Sequence, residues 1–309
     1  MALKVAALAS AIAVAFALAG CGLGAGKGTS DVALTVTRDF GSVPVGSVTE
    51  RQVSGSQTVM RMLERSFRIT TRYGGGFVES IDGFSGTSDR RDWFYYVNGI
   101  EAPLGAAGTS VHKGDRIWWD LHDWSATDSI PAVVGSYPEP FVHGIDGRRY
   151  PTTLECASDT TAACQKVTSQ LDAIGVKVAS QALGAGGSGT DSLAVVVGTW
   201  RDIQGQFDAS EIEHGPDSSG IYARFAGTNG SALELLNPHA QVARTLGGAA
   251  GLVAAIGNSS TAPVWIVTGT DAAGVSAAAA ALTPARLDYH FAVAVQGQTV
   301  LPVPLEPSS

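Results

Sequence analysis

The chain is 309 residues long, with a formal net charge of -8, 45% hydrophobic residues and 16% charged residues. That length suits roughly two folded units, and the apolar fraction is ample for packed cores. The acidic balance and the lack of any Lys/Arg-rich stretch argue against a nucleic-acid partner, because phosphate binding is driven by clustered cations.

The first stretch, "MALKVAALASAIAVAFALAGC", has one cation (Lys4), an apolar run from Val5 to Ala17, and then small residues. Residues 1–20 read as a secretory signal, too short for a comfortable membrane span. Leu18-Ala19-Gly20-Cys21 resembles the lipobox of bacterial lipoproteins, in which the cysteine thiol takes a diacylglycerol and becomes the mature N-terminus. The resemblance implies a lipid anchor at Cys21, acyl chains such as palmitate, and a place on the outer face of the cell membrane. An ordinary signal with a chance cysteine is the alternative. Several acyl chains hold a protein on a membrane firmly, whereas one is marginal. Residues 21–30 follow as a tether of small residues with no means of burying surface. Their "GAGKG" is not a phosphate-binding loop, since Cys21 stands where the first glycine is needed and Gly28 follows Lys27.

The segment 31–125 reads as a small α+β unit rich in aromatic residues. "DVALTVTRDF" alternates Val32, Leu34 and Val36 with polar residues, as a half-buried strand does. "SQTVMRMLERSF" spaces Val59, Met60, Leu63 and Phe67 for a helix, with Ser56 as its cap. "YGGGFVESIDG" is a glycine turn entering a strand, and "DWFYYVNG" is a strand ending in an Asn-Gly turn. Asn98 is read as a turn residue there. A Lys113-Gly114-Asp115 turn, closed by Asp115, then leads into a strand carrying Trp118 and Trp119.

From residue 129 to 305 the texture changes to apolar runs separated by Ala/Gly-rich stretches. "CQKVTSQLDAIG", "AQVARTLGGAAGLVAAIG" and "TDAAGVSAAAAAL" read as helices; "VKVASQAL", "APVWIVTG" and "LDYHFAVAVQG" read as strands, and "LAVVVGTWRDI" as a buried strand and turn into a helix. The alternation predicts an α/β unit with helices packed on a sheet. "VVVGTWRD" and "WIVTGTDA" echo each other as strand, Gly-Thr, Asp, helix. Open α/β sheets bind ligands at the carboxyl ends of their strands, but Thr199/Asp202 and Thr270/Asp271 also suit plain helix capping. Cys156 and Cys164 are expected to form a disulfide outside the cytoplasm, the alternative being two free buried cysteines.

Few local traces of catalysis appear. The chain has no G-x-S-x-G, H-E-x-x-H or C-x-x-C motif, and its histidines are scattered. The reading is therefore a protein that is not an enzyme and carries no resident cofactor. Asp120, His122 and Asp123 form a carboxylate-imidazole group that suits a metal less well than a solvated strand edge. Four of the six tryptophans fall between Trp93 and Trp124. Alternation puts Trp93 and Tyr95 on one face and Phe94 and Tyr96 on the other, with Trp118 and Trp119 opposed. One set is expected in the core and the other against solvent or a ligand; the alternative covers both, between a helix and a neighbouring domain.

Tyr73-Gly74, Ser80-Ile81-Asp82-Gly83, Trp93 to Gly99, and Gly114-Asp115 to Trp119 together resemble the DUF4430 domain, related to the C-terminal β-domain of transcobalamin and intrinsic factor. The resemblance covers about residues 31–125 and implies a compact α+β fold that, in the vertebrate carriers, closes over one face of cobalamin. The carriers' helical barrel is absent here, replaced by the unrelated region 129–305. The expectation is a membrane-anchored ligand-binding lipoprotein that captures cobalamin or a similar nutrient for a transporter of ABC or ECF type. Tyr73, Trp93, Tyr95, Trp118 and Trp124 would stack on the ligand, with His122 a remote candidate for coordinating cobalt. The competing expectation is a structural surface lipoprotein that binds a protein or cell-wall glycan. The Cys21→Ser variant is expected to lose palmitate labelling and to move from the detergent to the aqueous phase on phase partitioning.

Overall fold

The structure is a computed structural model describing residues 31–86, 90–185, 191–258 and 261–305. Cys21, the signal and the tether lie outside the described residues. The fold is mixed α/β with several sheets.

The N-terminal sheet has the strand order Val43–Glu50, Val32–Arg38, Arg116–Asp123, Arg91–Val97 and Ile100–Glu101. The Val32–Arg38 and Arg116–Asp123 strands run parallel, and the other pairs are antiparallel. The Val59–Ser66 helix lies on one face, burying Val59, Met60, Met62 and Leu63. Its cap is Thr58 rather than Ser56: the Thr58 hydroxyl accepts from Arg61 N at 3.3 Å, while Ser56 bonds Ser54. A second small sheet, Ile69–Arg72, Phe77–Ile81 and Phe84–Ser85, flanks this unit.

Antiparallel register sets Tyr95 opposite Trp119 and Tyr96 opposite Trp118. Successive side chains on a strand point to opposite faces, so the aromatics divide. Trp93, Tyr95 and Trp119 pack under the helix, with the Tyr95 and Trp119 rings stacked at 4.7 Å. Tyr96, Trp118 and the partly buried Phe94 point the other way, into a core shared with Ile130, Val133 and Phe291. There the Trp118 and Phe291 rings meet edge to face at 5.1 Å.

The C-terminal sheet has seven strands, in the order Val178–Ala182, Thr152–Cys156, Leu193–Thr199, Thr261–Gly269, Ala250–Asn258, Ala292–Gln296 and Thr299–Val303. The first four are parallel and the rest join antiparallel. The Thr161–Ala173 and Ala272–Ala281 helices cover one face. The other face carries a three-stranded sheet (Ala223–Ala226, Ala232–Leu236, Val242–Leu246) and the aromatic side of the N-terminal sheet. Cys156, at the end of its strand, is disulfide-bonded to Cys164 in the Thr161–Ala173 helix, with Cα atoms 6.2 Å apart.

The helix expected from "AQVARTLGGAAGLVAAIG" is instead two strands, Val242–Leu246 and Ala250–Asn258. Its small residues serve contact rather than helix propensity. A Cβ on Gly251 would lie 2.2 Å from Gly274 O, and one on Gly274 would lie 2.2 Å from Ala250 O. The Ala272–Ala281 helix therefore sits directly on the backbone of this strand.

Because both faces of the N-terminal sheet belong to cores, the chain is expected to unfold in one step. Trp118→Ala should cost about 3–5 kcal/mol. In urea titration, near-UV and far-UV circular dichroism should shift together; two separated transitions would contradict a shared core.

Candidate functional site

The Asp-Leu-His-Asp run divides into a buried part and an open part. The Asp120 carboxylate is fully buried and accepts from Thr37 Oγ1 at 2.5 Å, Gly41 N at 2.9 Å, Phe40 N at 3.1 Å and His122 Nδ1 at 2.9 Å. Four hydrogen-bond partners satisfy its two oxygens, so burial is tolerable. These bonds hold a turn in which Asp39 and Phe40 both have φ of 55° and Gly41 has φ of 84°. The His122 ring lies between Phe40 at 4.7 Å and Phe94 at 4.4 Å, with Phe291 edge-on at 5.2 Å. Asp120 and His122 are thus a packed structural pair, neither a solvated edge nor a metal pair. Enclosed in this way, His122 is not presented to a cobalt ion.

Above this floor, where the N-terminal sheet meets the turn between Ala232–Leu236 and Val242–Leu246 of the three-stranded sheet, lies a cavity of about 370 Å³. Asp39, Phe40, Arg91 and Asp123 line it from the N-terminal side, and Pro238 and His239 from the C-terminal side. The turn that buries Phe40 turns Asp39 outward, where it pairs with Arg91. Asp123 ends its strand and accepts from the Ser125 N–H at 2.7 Å and from the Ser125 hydroxyl. His239 Nδ1 is 3.2 Å from the same hydroxyl. Its loop is fixed by Asn237 Oδ1, which accepts from His239 N at 2.9 Å and Gln241 N at 3.0 Å.

Asp123, Ser125 and His239 are residue types used in nucleophilic catalysis, but their connections differ from those of a triad. In a triad the serine gives its proton to an imidazole that the carboxylate orients. Here the Ser125 proton goes to Asp123 itself. The trio is a hydrogen-bonded rim.

The five residues expected to stack on a ligand do not form one face. Trp93 and Tyr95 are buried; Trp93 Nε1 donates to Phe84 O at 3.2 Å, and the Tyr95 hydroxyl donates to Leu104 O at 2.5 Å. Burial also raises the Tyr95 pKa, partly offset by its bond to Thr109. Trp118 is buried, its Nε1 donating to Thr37 Oγ1 at 2.7 Å. Trp124 is half-buried and donates to Asp92 Oδ2 at 3.0 Å. Burial raises the Asp92 pKa, although that bond pulls it downward. Tyr73 alone is open, 86% exposed on the Tyr73–Gly75 turn. The stacking expectation is corrected for a simple reason: the polar atoms of the buried rings already have internal partners, and their faces fill cores.

Two turn readings hold. Asn98 has φ of 55°, and its Nδ2 donates to Asp115 Oδ1 and Gly144 O, both at 2.9 Å. Asp115 Oδ2 accepts from His112 N at 2.6 Å, closing the Lys113-Gly114 turn. Sequence reasoning missed Asp39, Arg91, Pro238 and His239; the only local signal was the Asp-Phe-Gly end of the first strand.

Residues 56–123 match the family described as a domain of unknown function, DUF4430. This stretch is a DUF4430 domain. It supplies Arg91 and Asp123 to the cavity, while Asp39 and Phe40 precede it and Pro238 and His239 follow it. A crystal structure of a protein from Ruminococcus gnavus ATCC 29149, provisionally described as metal binding, is similar over 30% of this chain and 97% of its own, with 16% identity and a TM-score of 0.25. No curated protein matches the chain. Among the described residues, no group of three or more His, Cys, Asp or Glu is placed to hold a metal ion, and no helix is long and apolar enough to cross a membrane.

The two aspartates of the DUF4430 strand should separate on mutation. Asp120→Asn leaves buried donors without an acceptor and is expected to cost roughly 3 kcal/mol. Asp123→Asn, at the strand end, should stay within about 0.5 kcal/mol of the wild type. Equal losses in chemical denaturation would refute this division.

Proposed function

We propose that the protein is a lipid-anchored, extracytoplasmic binding protein without catalytic activity, which captures a small organic cation in the cavity between its N-terminal sheet and its three-stranded sheet and delivers it to a membrane transporter of ABC or ECF type. The observation that carries this reading is the cavity itself. Its volume of about 370 Å³ falls within the roughly 300–1,000 Å³ of small-molecule sites. Its walls come from both parts of the chain.

The lining sets the ligand class. Asp39 is matched by Arg91, whereas Asp123 is paired with Ser125 and with no cation among the described residues. An amine beside Asp123 completes the charge balance, with the His239 imidazole as a further polar contact. Phe40, Val43 and Pro238 offer apolar surface to its carbon chain. Cobalamin, which the transcobalamin resemblance suggested, has no support in this geometry, because the rings meant to stack on it fill cores. The lipobox resemblance at Cys21 supports the membrane location, and the tether after it supports delivery.

A second reading, a structural lipoprotein that contacts a protein or glycan, draws support from one apolar tip. Tyr73 and Leu104 are 86% and 62% exposed. Their loops are neighbours, since a Cβ on Gly105 would lie 3.6 Å from Gly76 O.

Calorimetry on protein lacking residues 1–20 separates the readings. Putrescine or choline is expected to give saturable heat, weakened at least tenfold, about 1.4 kcal/mol, by Asp123→Asn and by His239→Ala. Silence with both amines removes the capture reading and leaves the contact reading. Saturable heat with hydroxocobalamin would instead restore the corrinoid.

A further inference from the structure

The cavity between the sheets leaves one sequence feature unused, the paired Gly-Thr strand ends. The Leu193–Thr199 and Thr261–Gly269 strands are hydrogen-bonded neighbours that run parallel, so their carboxyl ends open side by side. On the other side of Leu193–Thr199 lies Thr152–Cys156, also parallel. From Thr152–Cys156 the chain passes through the Thr161–Ala173 helix to Val178–Ala182 at the sheet edge, while Leu193–Thr199 leads the opposite way toward Thr261–Gly269. The order therefore reverses between Thr152–Cys156 and Leu193–Thr199. In open α/β sheets, ligands settle outside the carboxyl ends at such a reversal.

A cavity of about 270 Å³ occupies that place. Asp159, Thr199, Arg201, Asn229, Thr270 and Asp271 contribute to its walls. Some of these groups are frame. Asp271 caps the Ala272–Ala281 helix through Gly274 N at 2.9 Å and also accepts from Ala249 N at 2.7 Å. Thr270 Oγ1 accepts from Ala250 N at 3.1 Å, and the Thr199 hydroxyl donates to Asp202. The loop carrying Asn229 is held down where Gly230, with φ of 70°, comes so close to Trp200 that a Cβ would lie 2.1 Å from its Cδ1. Trp200 is itself stacked on Phe225 at 4.3 Å.

Two charged groups remain uncommitted. Arg201 has a side chain 63% exposed, and its one ion-pair contact, to Asp202, is a loose 3.9 Å. Asp159 is exposed, with no ion pair among the described residues, and the Cys156–Cys164 disulfide closes the short loop that carries it. One guanidinium and one free carboxylate thus face a small polar hollow whose other groups are hydroxyls, an amide and the Asp271 carboxylate, which is already engaged by Gly274 N and Ala249 N. The geometry points to a second binding site here, for a free α-amino acid, with its carboxylate on Arg201 and its ammonium on Asp159. A bidentate guanidinium-carboxylate contact supplies orientation as well as attraction. A volume of about 270 Å³ accommodates an amino acid.

The test is nuclear magnetic resonance titration of protein lacking residues 1–20 with L-serine, beside acetate, ethylamine and glucose. L-serine is expected to shift amides at Thr199–Arg201 and Thr270–Ala272 saturably, with acetate and ethylamine at least tenfold weaker. Arg201→Ala and Asp159→Asn should each weaken L-serine at least tenfold without changing the melting temperature, since both side chains are exposed. Asp123→Asn should leave L-serine binding intact, so this site and the cavity between the sheets stand or fall separately. Absence of saturable shifts, equal binding by both crevice variants, or glucose binding as tightly as L-serine would overturn the assignment.

Discussion

A β-strand has two faces, and here the aromatic strands bury both. The pairing of Tyr95 with Trp119 and of Tyr96 with Trp118 sends one set of rings under the Val59–Ser66 helix and the other against Phe291. All the rest of the architecture depends on that double covering. Burying side chains of this size is the largest apolar gain available to a small sheet. It is realised here only because a second sheet supplies the opposite wall. The cavity between the sheets is a by-product: where the two surfaces part at their rim, the polar ends of the same strands are left facing one another.

The DUF4430 pattern of tryptophan, tyrosine and Asn-Gly is thus a pattern of construction. Asn98 and Asp115 close turns, Asp120 ties the end of the first strand to the middle of another, and the indole N–H groups of Trp93, Trp118 and Trp124 end on partners within the chain. The groups left over for a ligand are those at strand ends. Asp123 lies just beyond the buried run, and Asp39 is turned outward by the same turn that drives Phe40 inward.

Much of the fold is legible in the residues. Val32, Leu34 and Val36 alternate and are buried, but Thr35 and Thr37 between them are buried as well because the other face is also covered; the continuous apolar runs at Leu193–Thr199 and Thr261–Gly269 are central strands. The Ala250–Asn258 strand is not legible, because its Gly and Ala content answers to a helix pressed against it, a partner that local pattern does not reveal. The strand-end echo is partly legible: Asp271 caps a helix as expected, whereas the Thr199 hydroxyl turns to Asp202 and caps nothing. The rim around Asp39 and His239 escapes a reading of sequence altogether. Its members come from segments far apart in the chain, and each alone resembles an ordinary surface group.

The fit between the sheets also limits how the aromatic segment can be reused. At Gly135 a methyl group would lie 2.7 Å from His290 N and 2.8 Å from Trp118 Cζ3, and at Gly41 one would lie 1.9 Å from Tyr289 O. The segment is consequently not a portable cartridge. Transplanted to another scaffold, it would carry Phe94, Tyr96 and Trp118 into water as a continuous greasy surface, of the kind that drives unwanted association. Any new host would have to be recut to the same contour, glycine by glycine.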